Sequence, residues 1–210
     1  MPRMLTLRCG SAPEQRGCPG AAPASAARRR VVTPRRPLWL ALPLLLAACA
    51  ENPAASYLWG FGDPVRGAAL NAPRLLGDTG RWAGQPAEAA VAAETLEFLA
   101  NAFETDPRYA PEVNPAAQQQ LAMARTEMRG FLGIPATAPP EVVIESLRRA
   151  SEALRAGRIG VAEAALSGPA FSAGPLVTLE RLRAMPRLPR TAEAAGAAAA
   201  ELDRLDRRRR

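Results

Sequence analysis

Histidine and lysine are both absent from the 210 residues, and all 27 basic side chains are arginine. Without histidine there is no Ser-His-Asp triad, no Cys-His pair, no imidazole ligand for a metal and no side chain that ordinarily titrates near neutrality. Zinc would have carboxylates alone, a poor donor set for that ion. Aromatic residues are scarce at 5%, and much of the 48% hydrophobic content is alanine. Alanine buries little area and favours helix, so a thin, helical core is expected rather than a sheet sandwich. Cysteine occurs three times, at positions 9, 18 and 49. The serines after that point (Ser56, Ser146, Ser151, Ser167, Ser172) lie in no nucleophile-elbow context. Lysine's absence, beside abundant Ala, Pro and Gly, is the mark of a GC-rich genome and gives the arginine bias no functional weight.

The net charge of +7 and a pI near 10.7 suggest a nucleic-acid binder until the charge is partitioned. Residues 1–48 hold eight arginines and a single acid, Glu14, whereas residues 49–210 hold nineteen arginines and nineteen acids. The surplus therefore belongs to the N-terminal segment. Residues 49–210 have no net field to draw a polyanion, so nucleic acid is not an expected partner.

The stretch Arg28–Arg36 is cationic and is followed by an apolar run, Leu38 to Ala48. Those eleven residues have the length of a signal-peptide core, while a membrane-spanning helix needs about 20. The cationic flank stays in the cytoplasm as the apolar run inserts. The run ends Leu46-Ala47-Ala48-Cys49, which resembles the lipobox of bacterial lipoproteins. The resemblance covers the leader only. It implies that a diacylglyceryl group is placed on the Cys49 sulfur, that the leader is cut just before Cys49, and that the new amine takes a further acyl chain such as palmitate. Two or more acyl chains anchor stably where one binds only marginally. In enteric lipoproteins an Asp after the cysteine holds the protein at the inner membrane. Ala50 stands there instead, which points to the outer membrane, facing the periplasm. The competing readings are an ordinary secretory leader with a chance cysteine and a twin-arginine leader on Arg35-Arg36. Residues 1–27, rich in Pro, Gly and Ala, are read as a disordered extension or as sequence ahead of the true start of translation.

Residues 49–56 read as a lipidated tether. Residues 57–85 read as an irregular strap rich in aromatics, glycine and proline, with a short helical possibility near Val65–Leu70. Tyr57, Trp59, Phe61 and Trp82 form either a ligand or partner patch or, more simply, the large side chains that pack the strap onto alanine-rich helices. From Pro86 the pattern turns helical. Ala92, Leu96, Leu99 and Phe103 share one face, as do Ala117, Leu121, Ala124, Met128 and Phe131, and then Val143, Leu147, Ala150 and Leu154. Shorter helices are expected at about 160–166 and 175–185. Residues 86–190 form the helical domain, and 191–210 an Ala/Arg-rich helix with few anchors that extends from it or frays. The expected fold is all-α, an antiparallel bundle or helical array of about five to six helices. A partial match to a tetratricopeptide unit near Leu154–Leu166 has no 34-residue echo.

Glu94 and Glu97, three residues apart, invite a glycosidase reading. A solvated helix face accounts for them more simply, as it does for Gln118-Gln119-Gln120. Pairs four residues apart (Glu145 with Arg149, Asp203 with Arg207) support helices, and Arg207–Arg210 suit a helix C-terminus. No cofactor is expected. The resulting expectation is a lipid-anchored, non-catalytic helical module that binds an unknown envelope protein or polymer. The alternatives are an envelope enzyme using carboxylates on glycans, or a small-ligand carrier using the four aromatics.

Overall fold

The computed structural model describes residues 62–209. They form seven α-helices and one 3-10 turn, with no strand among the described residues: α1 Pro64–Leu76, the 3-10 turn Thr79–Trp82, α2 Pro86–Thr105, α3 Pro115–Leu132, α4 Pro140–Arg155, α5 Ile159–Ala165, α6 Pro175–Arg183 and α7 Pro189–Arg208. Every one of these helices except α5 opens on proline. At the first helical position proline's missing N–H costs nothing and its fixed φ suits the helix, so these prolines set the frame of the fold. Side chains complete two of these starts. Asp63 accepts from the Val65 and Arg66 amides at 3.0 and 3.4 Å, and Asn114 accepts from the Ala116 amide at 2.9 Å. At the C-terminus of α3, Gly133 adopts φ +78°, and an added Cβ would meet the Ala173 Cβ at 2.5 Å. Only glycine fits both the turn and the close approach.

Helix α2 is the axis of the fold. It packs against α1, α3, α4, α6 and the 3-10 turn, while α7 closes the outside by lying along α1 and α3. The expected face of Ala92, Leu96, Leu99 and Phe103 is buried, but so are Ala89, Ala90, Ala93 and Ala100 around the rest of the helix. Small side chains let four helices approach one helix at once, at the expense of area buried per residue. Four glutamates on α2 are each met by an arginine from a neighbouring helix. Glu88 pairs with Arg155 and Glu94 with Arg148, both on α4, at 2.9 and 2.8 Å. Glu97 pairs with Arg129 and Glu104 with Arg125, both on α3, at 2.6 and 3.0 Å. Rising numbers on α2 meet falling numbers on each partner, so both neighbours run antiparallel to it.

The fold departs from the sequence expectations in several places. Glu94 and Glu97 do not form a solvated face: they are 3% and 1% exposed, and each carboxylate is held by a buried arginine. Residues 64–76 are a full helix with Pro73 inside it, not loop; Asp63 before Pro64 supplies the cap that organises it. The C-terminal helix starts at Pro189 and does not extend away. It buries Ala194, Ala195, Ala198, Leu202 and Leu205, with small residues serving as close-approach contacts. Gln118 is more than a polar face, since its amide donates to the Phe103 carbonyl at 2.7 Å and joins α3 to the end of α2. Glu145 pairs with Arg148, one residue from the expected partner, while Asp203 does pair with Arg207. The Leu154–Leu166 stretch is the α4–α5 hairpin, turned by Gly157 at φ +67°.

Removing one partner of a buried ion pair strands the other charge, at about 3–5 kcal/mol. Arg129→Met should therefore destabilise the protein by roughly that amount in denaturant unfolding. The double variant Glu97→Leu/Arg129→Met should be clearly more stable than Arg129→Met alone. Equal stability of the two would show that the stranded carboxylate is not the source of the cost.

Candidate functional site

Of the residues singled out in the sequence, Leu46, Ala47, Ala48, Cys49, Tyr57, Trp59 and Phe61 lie outside the described residues. Trp82 lies within them and is buried at 6% exposure. Its indole N–H donates to the Leu75 carbonyl at 2.8 Å, and the Arg81 guanidinium carbon lies 4.7 Å from its ring centroid. Trp82 thus packs the 3-10 turn onto α1.

The structure instead concentrates polar chemistry where the described body begins. Asp63 has two roles there. Its Oδ1 caps α1, and its Oδ2 accepts from the Tyr109 hydroxyl at 2.6 Å with Arg108 Nη1 at 3.3 Å. Tyr109, in the α2–α3 loop, is 2% exposed and stacks on Phe103 with centroids 6.4 Å apart and planes 10° apart. The guanidinium carbons of Arg108 and Arg209 each lie 5.7 Å from its ring centroid. Burial, and then the hydrogen bond to Asp63, push the Tyr109 phenol up to about 12.

The end of α7 is drawn into the same cluster. Arg66 pairs with Asp206, whose hydrogen bond raises the already high arginine pKa further. Glu201 accepts from Arg204 Nε at 2.8 Å and from the Asn114 amide at 2.7 Å. The Arg204 hydrogen bond holds the Glu201 carboxyl below its ordinary range, against the opposing effect of burial. Arg204 also donates to the Glu112 carbonyl at 2.6 Å, and Arg209 approaches the Glu112 carboxylate at 3.7 Å.

This arrangement is a clamp. It fastens the first helical turn of the body to the α2–α3 loop and to the end of α7, so a pull on the chain before Asp63 is shared by three segments. Acid–base chemistry is a poor fit for groups committed to one another in this way. Glu94 and Glu97, the pair whose spacing invites a glycan-cleaving reading, are likewise engaged by Arg148 and Arg129 in the core. Among the described residues no three metal-ligating side chains converge.

In the sequence Asp63 reads only as a turn former. The Asp-Pro step that puts a cap directly before a first-turn proline was the available signal. Nothing local marks Tyr109, whose partner lies 46 residues away. Comparison with protein-family models, with curated proteins and with solved structures returned no match to the chain.

The chain has two tyrosines, so Tyr57→Phe leaves Tyr109 as the only phenol. Its absorbance titration near 295 nm should show a midpoint near 12 in the folded protein. The unfolded chain should show the ordinary value of about 10. Because folding favours the neutral phenol, the associated stability is fully present below about pH 10 and is lost as pH rises through about 12. A midpoint near 10 while the helical signal persists would contradict the Asp63–Tyr109 clamp.

Proposed function

We propose that the chain is the precursor of a bacterial envelope lipoprotein, and that its helical body is a non-catalytic interaction module. The observation that carries this reading is the lipobox Leu46-Ala47-Ala48-Cys49, placed at the end of a charged and then apolar leader. On this reading residues 28–48 are removed and Cys49 carries the lipid, facing the periplasm at the outer membrane. The partition of charge supports it: the basic residues in excess precede Cys49, as an inserting leader requires, and the remainder is neutral. Among the described residues no helix is long and apolar enough to cross a membrane. The clamp at Asp63 suits a tethered body, since it secures the point where the chain from Cys49 joins the helices. An envelope protein or polymer is the expected partner, and neither a cofactor nor nucleic acid is required.

The test is the intact mass of the protein recovered from cell membranes, alongside a Cys49→Ser variant. The expected product begins at Cys49 and carries the added mass of a diacylglyceryl group and a further acyl chain. The variant should lack both the lipid and the cut before position 49. A recovered protein cut elsewhere, or bearing an unmodified Cys49, would overturn the proposal.

A further inference from the structure

The nineteen arginines that follow Cys49 are balanced in number by acids, but they are not balanced in space. At the clamp end Arg66, Arg108, Arg204, Arg207 and Arg209 each have a carboxylate partner. The opposite end differs. Helices α1 and α7 run antiparallel, because Arg66 meets Asp206 at one end while Thr79, just past α1, meets the segment leading into α7 at the other. The 13 residues of α1 separate the two ends by roughly 20 Å.

At this distal end two segments are pinned together. The Thr79 hydroxyl donates to the Pro186 carbonyl at 2.5 Å and accepts from the Leu188 amide at 2.9 Å. The Gly84 amide donates to the Arg183 carbonyl at 2.8 Å. Gly80 lies so close to Arg187 that a Cβ added to it would meet the Arg187 amide nitrogen at 3.2 Å. Four arginines, Arg74, Arg81, Arg183 and Arg187, ride on these segments, all exposed. None of the four forms an ion pair with a described residue. The acid among them, Asp78, uses its Oδ1 to cap the 3-10 turn through the Gly80 amide at 3.2 Å. Arg81 is held over the Trp82 ring and donates to the Arg74 carbonyl at 3.4 Å. Arg74 and Arg183 also sit in the last turns of α1 and α6, where they offset the helix dipole. Arg187 lies in a linker, where that account does not apply.

We propose that Arg74, Arg81, Arg183 and Arg187 form a distal docking pole for a carboxylate-bearing polymer, the glycan–peptide polymer of the cell wall. Guanidinium forks match carboxylates bidentately, and several exposed pairs, each weak alone, add up on a repeating polymer. A folded protein partner fits less well, because such interfaces need an apolar core. None of the exposed large apolar residues lies in residues 74–84 or 183–187; the nearest along the chain is Leu70, one turn before Arg74. A lipid surface fits less well for the same reason, since surface binding draws on buried apolar area. The pole also sits at the end of the body opposite the point where the chain from Cys49 joins. The inference rests on the lipoprotein reading for its compartment, and it names the partner that reading leaves open.

The test uses mature protein purified from membranes in detergent and sedimented with purified wall sacculi. The variant Arg183→Gln/Arg187→Gln is compared with Arg149→Gln/Arg208→Gln, which removes the same charge from exposed arginines that form no ion pair with a described residue, one within α4 and one in the last turn of α7 at the clamp end. Unchanged thermal unfolding establishes that both variants are folded. The pole variant should bind sacculi on the order of tenfold or more weakly, wild-type binding should fall with added salt, and the control should stay near wild type. Equal loss in both variants, or no binding by the wild-type protein, overturns the proposal. Competition by mixed micelles of phosphatidylglycerol at matched anion concentration would assign the pole to lipid headgroups and also overturn it. The mass of the same preparation separates the two claims. A lipidated protein that ignores sacculi defeats only the pole, whereas an unmodified Cys49 defeats the reading beneath it.

Discussion

Two buried ion pairs organise this protein. Glu94 and Glu97 sit one turn apart on α2, and each is met by a guanidinium from a different neighbour, Arg148 of α4 and Arg129 of α3. Burying a charge is costly unless its partner is well placed, so a slipped register of either helix would strand a carboxylate in an alanine-rich core. The apolar contacts here discriminate poorly between registers, because many are alanine on alanine. The ion pairs supply that discrimination. Arg129 extends the effect by donating to the carbonyls of Pro135, Ala136 and Ala138 at 3.3, 3.0 and 3.0 Å, which fixes the α3–α4 loop from within. All buried side-chain polar atoms among the described residues have partners.

The same economy appears at the two ends. Large side chains are few, and they are placed where segments without long helices must be held. Trp82 fastens the 3-10 turn, and Tyr109 with Phe103 fastens the α2–α3 loop to Asp63. Arginine stands in three settings in one molecule: buried partner of α2, ion-paired in the clamp, and exposed at the opposite end without an ion pair to any described residue. The side-chain chemistry is common to all three, and placement distinguishes them.

Much of the helical architecture is legible in the sequence. Periodic apolar residues and first-turn prolines locate α2, α3 and α4, and Gly133 and Gly157 mark two of their ends. Local pattern misleads in three places. A helix surrounded on several sides has no polar face, so spacing alone assigns Glu94 and Glu97 to solvent when both are buried. Helix α7 has small residues for anchors, and its pattern suggests loose attachment where the packing is close. Gly67 and Pro73 lower the helix propensity of α1, yet the Asp63 cap and burial of Val65, Ala69, Ala72, Leu75 and Leu76 outweigh them. Of the candidate site residues, Trp82 is packed into the core.

By itself the sequence determined helical content and the assignment of the net charge to the residues before Cys49, because these depend on local order along the chain. Only the tertiary structure decided which charges are buried, which are paired and which are left exposed. Arg74 and Arg187 are more than a hundred residues apart, and their proximity comes from two antiparallel helices whose ends are joined through Thr79. Coulomb interactions depend on distance in space, so residues 49–210, neutral in total, can still carry a charged end that no count of residues reveals.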